Sequence, residues 1–313
     1  MTRFFAATIG RGLWQSADGE RWEHAAGVAP AASVYSLAGR GGMLLAGGSG
    51  VLYRNRGGTG IWEALPLPEP DLQAWAVASD PGDRSVLFAG CRPFALFRSE
   101  DEGARWKPLP LVLPPETERP HTPRVTAILA ESGALWCGVE VGGIFASGDG
   151  GRSWEAVNEG LASLDIHALV QSDCGAAGTG ALLAATPRGI ARREGESREA
   201  HWRMAEWGAP WRYCRALAAL PGRPGEALCW FGDGPPGTRG AVARSEDDGR
   251  SWRSTLFPGT ASSSIWSVAV DPADPDTALA AAIGGELFLS EDGGRSWQRL
   301  GRRFAEVRAV LIA

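Results

Sequence analysis

The chain is poor in the residues that most often carry chemistry. Its 313 residues include four histidines (His24, His121, His167 and His201), three tyrosines (Tyr35, Tyr53 and Tyr213) and five cysteines. The histidines are too dispersed for a metal cluster, and no Ser-His-Asp or Cys-His arrangement is evident. The cysteines (Cys91, Cys137, Cys174, Cys214 and Cys229) are odd in number, lack metal-ligand spacing and mostly fall inside expected strands. They read as buried thiols in a reducing compartment, and no metal or cofactor is expected. No apolar run reaches membrane-spanning length, and the short apolar stretch at residues 4–9 lacks the form of a secretory leader. The expectation is a cytoplasmic monomer. A net charge of −5 supplies no global basic field, so neither nucleic acid nor a membrane surface is expected as a partner.

What the chain has in quantity is turn formers, with 43 glycines and 21 prolines beside 44% hydrophobic residues. That balance suits an all-β repeat. The repeat itself is visible as Ser290-Glu-Asp-Gly-Gly-Arg-Ser-Trp297, which recurs as Ser245-Glu-Asp-Asp-Gly-Arg-Ser-Trp252 and Ser147-Gly-Asp-Gly-Gly-Arg-Ser-Trp154. A fourth copy is Ser99-Glu-Asp-Glu-Gly-Ala-Arg-Trp106. Each has the chemistry of a hairpin corner. The aspartate caps backbone N–H groups, the glycine supplies positive φ, and the tryptophan opens the next strand with a large apolar face. Ser16-Ala-Asp-Gly-Glu-Arg-Trp22 is one residue short, while the stretches leading to Trp62 and Trp202 have lost the aspartate. Asp18, Asp101, Asp149, Asp247 and Asp292 are therefore assigned structural roles.

The pattern resembles the Asp-box (BNR) repeat, which sits on the turn between the third and fourth strands of propeller blades. Used as a ruler, the seven tryptophans Trp22, Trp62, Trp106, Trp154, Trp202, Trp252 and Trp297 are spaced 40 to 50 residues apart. One four-stranded blade fits each interval. The expected fold is an all-β, seven-bladed β-propeller of four-stranded antiparallel blades, one domain over residues 1–313. Residues 306–313 read as a first strand with no second, and residues 1–24 as second to fourth strands with no first. The closing blade is thus expected to be built from both ends.

In such a ring, function belongs on the face bearing the loops from strand four to the next strand one and from strand two to strand three. Seven innermost strands share a small residue, and the position before it diversifies: Tyr35, Trp75, Thr126, His167, Arg215, Trp266 and Arg308. Two residues earlier stand Ser33, Gln73, Arg124, Asp165, Tyr213, Ser264 and Glu306. The strand-two to strand-three loops add Arg11, Arg92, Glu140, Arg188, Asp233 and Arg239. Arginines among aromatic faces suit a carboxylate, a phosphate or an acidic peptide. The candidate binding residues are Tyr35, Trp75, Arg92, Arg124, Glu140, His167, Arg188, Arg215, Trp266 and Arg308. The alternative role for Tyr35, Trp75 and Trp266 is as wedges between blades, and for His167 a satisfied core or channel histidine. Trp207 and Trp211 read as a hydrophobic cover rather than a carbohydrate-stacking pair.

The Asp-box resemblance also brings in sialidases, but the chain has no Arg-Ile-Pro and reads as seven blades rather than six. A two-carboxylate glycoside hydrolase remains the alternative, with Asp71, Glu116, Glu140, Asp165 and Asp233 as candidate acids. The single-propeller plan is also similar to the assembly-factor group typified by photosystem II stability and assembly proteins, which bind other proteins through arginine-rich surfaces. The expectation is a non-enzymatic binding or assembly module holding an anionic small molecule or an acidic protein segment.

Overall fold

The computed structural model describes residues 2–57, 60–115, 122–131, 133–173, 180–193, 200–259 and 261–313. Cys174, Glu116 and His121 lie outside them. Seven antiparallel sheets form seven blades, numbered here by their tryptophans from Trp22. The innermost strands are Val307–Ile312, Val34–Arg40, Gln73–Ser79, Val125–Glu131, Ala168–Gln171, Tyr213–Ala219 and Ile265–Val270, for blades 1 to 7 in turn. Blade 6 carries a fifth, parallel strand, Glu206–Trp207, donated by the chain leaving blade 5.

Blade 1 closes the ring. Val307–Ile312 pairs antiparallel with Phe4–Thr8 in the register Phe4↔Ile312 and Ala6↔Val310. Arg3 and Ala313 exchange backbone hydrogen bonds of 2.7 and 2.9 Å beyond the ladder. Closure through both ends leaves no inner edge free to pair with another chain.

The small residues of the second strands have a steric cause. A Cβ on Gly47 would lie 2.3 Å from the Ala74 carbonyl oxygen of the next blade, and one on Gly90 2.4 Å from Val125 Cγ1. Blades converge too closely at the hub for anything larger. Further out they are filled by the repeat tryptophans. Trp62 and Trp252 are almost completely buried, and Trp22 joins Phe4 and Ala6 to Leu279, Leu287 and Leu300 of blade 7.

At the opposite face each octapeptide is a closed hydrogen-bonded corner. Ser290 Oγ donates to Asp292 Oδ1 (2.8 Å) and accepts from Gly294 N (2.9 Å). Asp292 accepts from the backbone N–H of Arg295 and of Ser296, both at 2.9 Å, and Trp297 Nε1 donates to Gly294 O. The corners at Asp149 and Asp247 repeat these bonds.

A second repeat, missed in the sequence, ties these corners to the preceding blade. Arg54, Arg98, Arg192 and Arg244 donate to the backbone carbonyls of Glu102, Gly150, Asp248 and Gly293, respectively. All four accepting residues hold positive φ, between 56° and 74°, which turns the carbonyl towards the neighbouring blade. The equivalent positions before the three shortened or degenerate copies are Gln15, Ala146 and Leu289. An arginine occurs only where the following blade has a full octapeptide to receive it.

Candidate functional site

The innermost strands share an irregularity that positions the candidate ring. In blade 2 the register runs Val34↔Gly48 and then Ser36↔Gly47, so Tyr35 has no partner across the ladder. The same shift isolates Trp75, Thr126, Arg215, Trp266 and Arg308. A β-bulge adds one residue to a strand and re-aims its side chain. His167 stands just ahead of its strand, its N–H donating 2.9 Å to Ala185 O. All seven ring residues line one axial cavity of about 240 Å³. Tyr35, Trp75 and Trp266 thus face the channel, not only the joints between blades.

Within the channel mouth, aromatic and guanidinium groups are layered. Tyr35 stacks on Trp75 with ring centroids 4.9 Å apart. The Arg124 guanidinium lies 4.0 Å from the Trp75 centroid, and Arg215 lies 3.8 Å from that of Trp266. Arg308 sits between the two indoles, 5.3 Å from Trp75 and 4.7 Å from Trp266. Stacking of this kind holds a guanidinium plane in place while leaving its edge free to donate.

The second ring supplies the partners, each two residues back along the chain. Gln73 accepts from Trp75 Nε1 (3.0 Å), Asp165 faces His167 Nε2 (3.3 Å), and Glu306 pairs with Arg308. Arg124 pairs instead with Glu140 across the hairpin at 2.5 Å. Arg215 is different. It is 7% exposed, and its side-chain hydrogen bond goes to the neutral Tyr213 hydroxyl at 3.4 Å. No carboxylate oxygen among the described residues lies within 4.0 Å of its guanidinium. Burial pulls the Arg215 pKa down from the ordinary arginine value, which marks a cation whose lost hydration is not fully replaced.

His167 is held structurally. Its Nδ1 lies 2.5 Å from the Cys214 carbonyl of blade 6. Burial and then the Arg215 charge hold its pKa below the usual histidine value, against the opposing effect of Asp165. Thr126 likewise donates to Ile166 O of the next blade (2.5 Å). These two ring members are joints as well as lining.

Of the loop candidates, Arg92 and Arg188 are exposed on the rim and do not line the cavity. Asp233 is engaged by its own loop, accepting from Thr238 Oγ1 (2.9 Å) and Arg239 N (3.0 Å). Among the described residues no aspartate or glutamate lines the channel cavity. Trp207 and Trp211 pack around Phe231, at 5.2 and 6.2 Å between centroids, and act as cover. Among the described residues no three His, Cys, Asp or Glu side chains gather as a metal site. Cys91, Cys137, Cys214 and Cys229 are free and buried.

Comparison with known proteins agrees with this architecture. The photosystem II assembly lipoprotein Ycf48 of Synechococcus sp. (strain CC9902) is 26% identical over 257 residues, spanning 81% of this chain and 70% of that protein. The solved structure of YCF48 bound to D1 peptide superposes with a TM-score of 0.55 at 19% identity, covering 86% of this chain and 81% of that one. The GH74 enzyme of Niastella koreensis gives a TM-score of 0.58 at 12% identity, covering 98% of this chain and 66% of the enzyme. At those identities the two structures attest the fold. The Synechococcus relative overturns the cytoplasmic expectation, because it is a lipoprotein. Buried thiols report packing whatever the redox compartment, so the cysteines do not locate the protein. The family described as Photosynthesis system II assembly factor YCF48 matches residues 33–311, and the chain belongs to that family.

Proposed function

We propose that the protein is a non-enzymatic assembly module that captures an acidic segment of a partner protein at the channel mouth. Arg215 is the group that meets the carboxylate, with Arg124 and Arg308 flanking it on Trp75 and Trp266. The observation that carries this reading is the contrast among the three arginines. Arg124 and Arg308 have carboxylate partners, whereas Arg215 is buried beside a neutral hydroxyl. An incoming carboxylate would replace hydration that burial has removed from this guanidinium, and a charge-assisted bond in such a site is strong. A relative solved with a D1 peptide supports a peptide as the ligand. The hydrolase alternative is disfavoured because the mouth carboxylates Glu140, Asp165 and Glu306 are engaged by Arg124, His167 and Arg308, and none of them lines the channel cavity, whereas that chemistry needs two carboxyls facing the substrate.

The test is fluorescence anisotropy with a labelled acidic peptide, comparing wild type with Arg215→Ala and Arg215→Lys. Truncation is expected to weaken binding by at least about 30-fold, the lower end for removing one partner of a buried charged pair. The lysine variant should recover part of the affinity. Equal affinity for wild type and Arg215→Ala would sink the proposal.

A further inference from the structure

The mouth face carries a second feature that the arginines do not account for. Pro93, Phe94, Leu111, Val112, Leu113 and Pro123 line a groove of about 470 Å³ between the hairpin of blade 3 and the long connection into blade 4. Among the described residues five large hydrophobic side chains are exposed; Val112 (81% exposed) lines this groove, and Leu164 (44%) and Val141 (37%) stand on the adjoining loops. Their loops touch. A Cβ on Gly142 would lie 3.6 Å from Leu113 Cδ2, and Gly143 N donates 2.8 Å to Leu164 O. Apolar side chains concentrated in one place, rather than scattered singly, mark an interaction surface.

Val141 adds an independent sign. Its φ is +62°, a conformation that β-branched side chains resist, and which is held at functional sites more often than elsewhere. Glycine would suit the turn better. A valine there leaves a partly exposed apolar side chain on the loop that adjoins Leu113.

The ends of the groove fix what fits it. Pro93 follows Arg92 and Pro123 precedes Arg124, so two lining residues are chain neighbours of a rim arginine and of an arginine stacked on Trp75. Arg92 is exposed and, among the described residues, has no ion-pair or side-chain hydrogen-bond partner. The geometry points to an extended segment of a partner protein in which apolar side chains sit immediately beside a carboxylate. The apolar residues occupy the groove over blades 3 and 4 and the acidic end turns into the mouth. This deepens the mouth reading and rests on it for the acidic end only.

The experiment uses the full chain and three labelled hexapeptides. The first has three apolar residues followed by three acidic ones, the second has glycines in place of the apolar residues, and the third has glutamines in place of the acidic ones. The first is expected to bind at least tenfold tighter than the second. Val112→Glu, a change at an exposed position, should remove that advantage and leave the second peptide unaffected. Val141→Gly should raise the melting temperature yet weaken the first and third peptides. Equal binding of the first and second peptides, or indifference of the first to Val112→Glu, overturns the groove while leaving the mouth standing. Binding of the first peptide that ignores Arg215→Ala, or a third peptide that binds as tightly as the first, overturns the mouth and leaves the groove. No binding of any peptide overturns both.

Discussion

Replacing Arg54 tests whether the ring is held by its repeated inter-blade arginines. The side chain is 5% exposed and reaches from blade 2 to the blade 3 corner. It donates to the Glu102 carbonyl and to Glu102 Oε2 (3.0 Å), and to Glu63 Oε2 (2.6 Å). Alanine would leave the carbonyl without its donor and remove a buried guanidinium. Glu102 and Glu63 are 35% and 60% exposed, so water can rescue both carboxylates. The loss should therefore fall below that of a fully buried pair, at about 2–3 kcal/mol. With an unfolding entropy of roughly 2.1 cal/mol/K per residue, a chain of 313 residues shifts by about 1.5 °C per kcal/mol, giving a fall of about 3–5 °C. Arg56 provides the control. It bonds the same Glu102 Oε2 at 2.5 Å but is 61% exposed and does not reach the carbonyl. Arg56→Ala should cost no more than about 0.5 kcal/mol. Urea and thermal melts of the two variants measure the difference. If both lower stability equally, the corner carbonyl contributes nothing and the inter-blade role is wrong.

Three further outcomes are expected. Deleting residues 306–313 removes the strand paired with Phe4–Thr8 and should give aggregation in size-exclusion chromatography; a truncated chain with unchanged melting would refute closure by the two ends. The Asp149 carboxyl, hydrogen-bonded by Ser153, Ser147 and the Arg152 backbone, is held below its ordinary value of 3.8. A depressed carboxylate stabilises fully above the unfolded pKa and loses that contribution as pH falls through the folded one. The stability gap between wild type and Asp149→Asn should accordingly be constant from pH 7 to 5 and narrow below about pH 4; a gap unchanged at pH 3 would contradict the assignment. Burial raises the Cys91 thiol to about 12 and raises Cys137 and Cys229 as well. Site-resolved mass spectrometry after alkylation at pH 8 should find Cys91, Cys137 and Cys229 unmodified in the native protein and modified in urea.

How far the sequence carries the reading depends on whether a feature repeats. The tryptophan spacing and the two leftover ends are legible because every blade buries the same residue at the same corner, and the terminal strands lack partners until they meet. The ring of Tyr35, Trp75, Thr126, His167, Arg215, Trp266 and Arg308 is legible for a complementary reason. A constant small residue beside a varying one separates what packs from what faces the channel. What stays hidden is pairing. The bulges depend on register across a hairpin, and nothing local in Val34-Tyr35-Ser36 shows that Tyr35 is the unpaired residue. The contrast of Arg215 with Arg124 and Arg308 depends on which carboxylate each can reach. Glu140 lies sixteen residues from Arg124, while Glu306 is two from Arg308 along the chain, a spacing equally open to Tyr213 and Arg215. The sequence counts seven arginines against four carboxylates as one field; the strands divide it so that one buried cation is left to a neutral partner. That division, more than the total charge, is what the proposal of a carboxylate ligand at the channel mouth rests on.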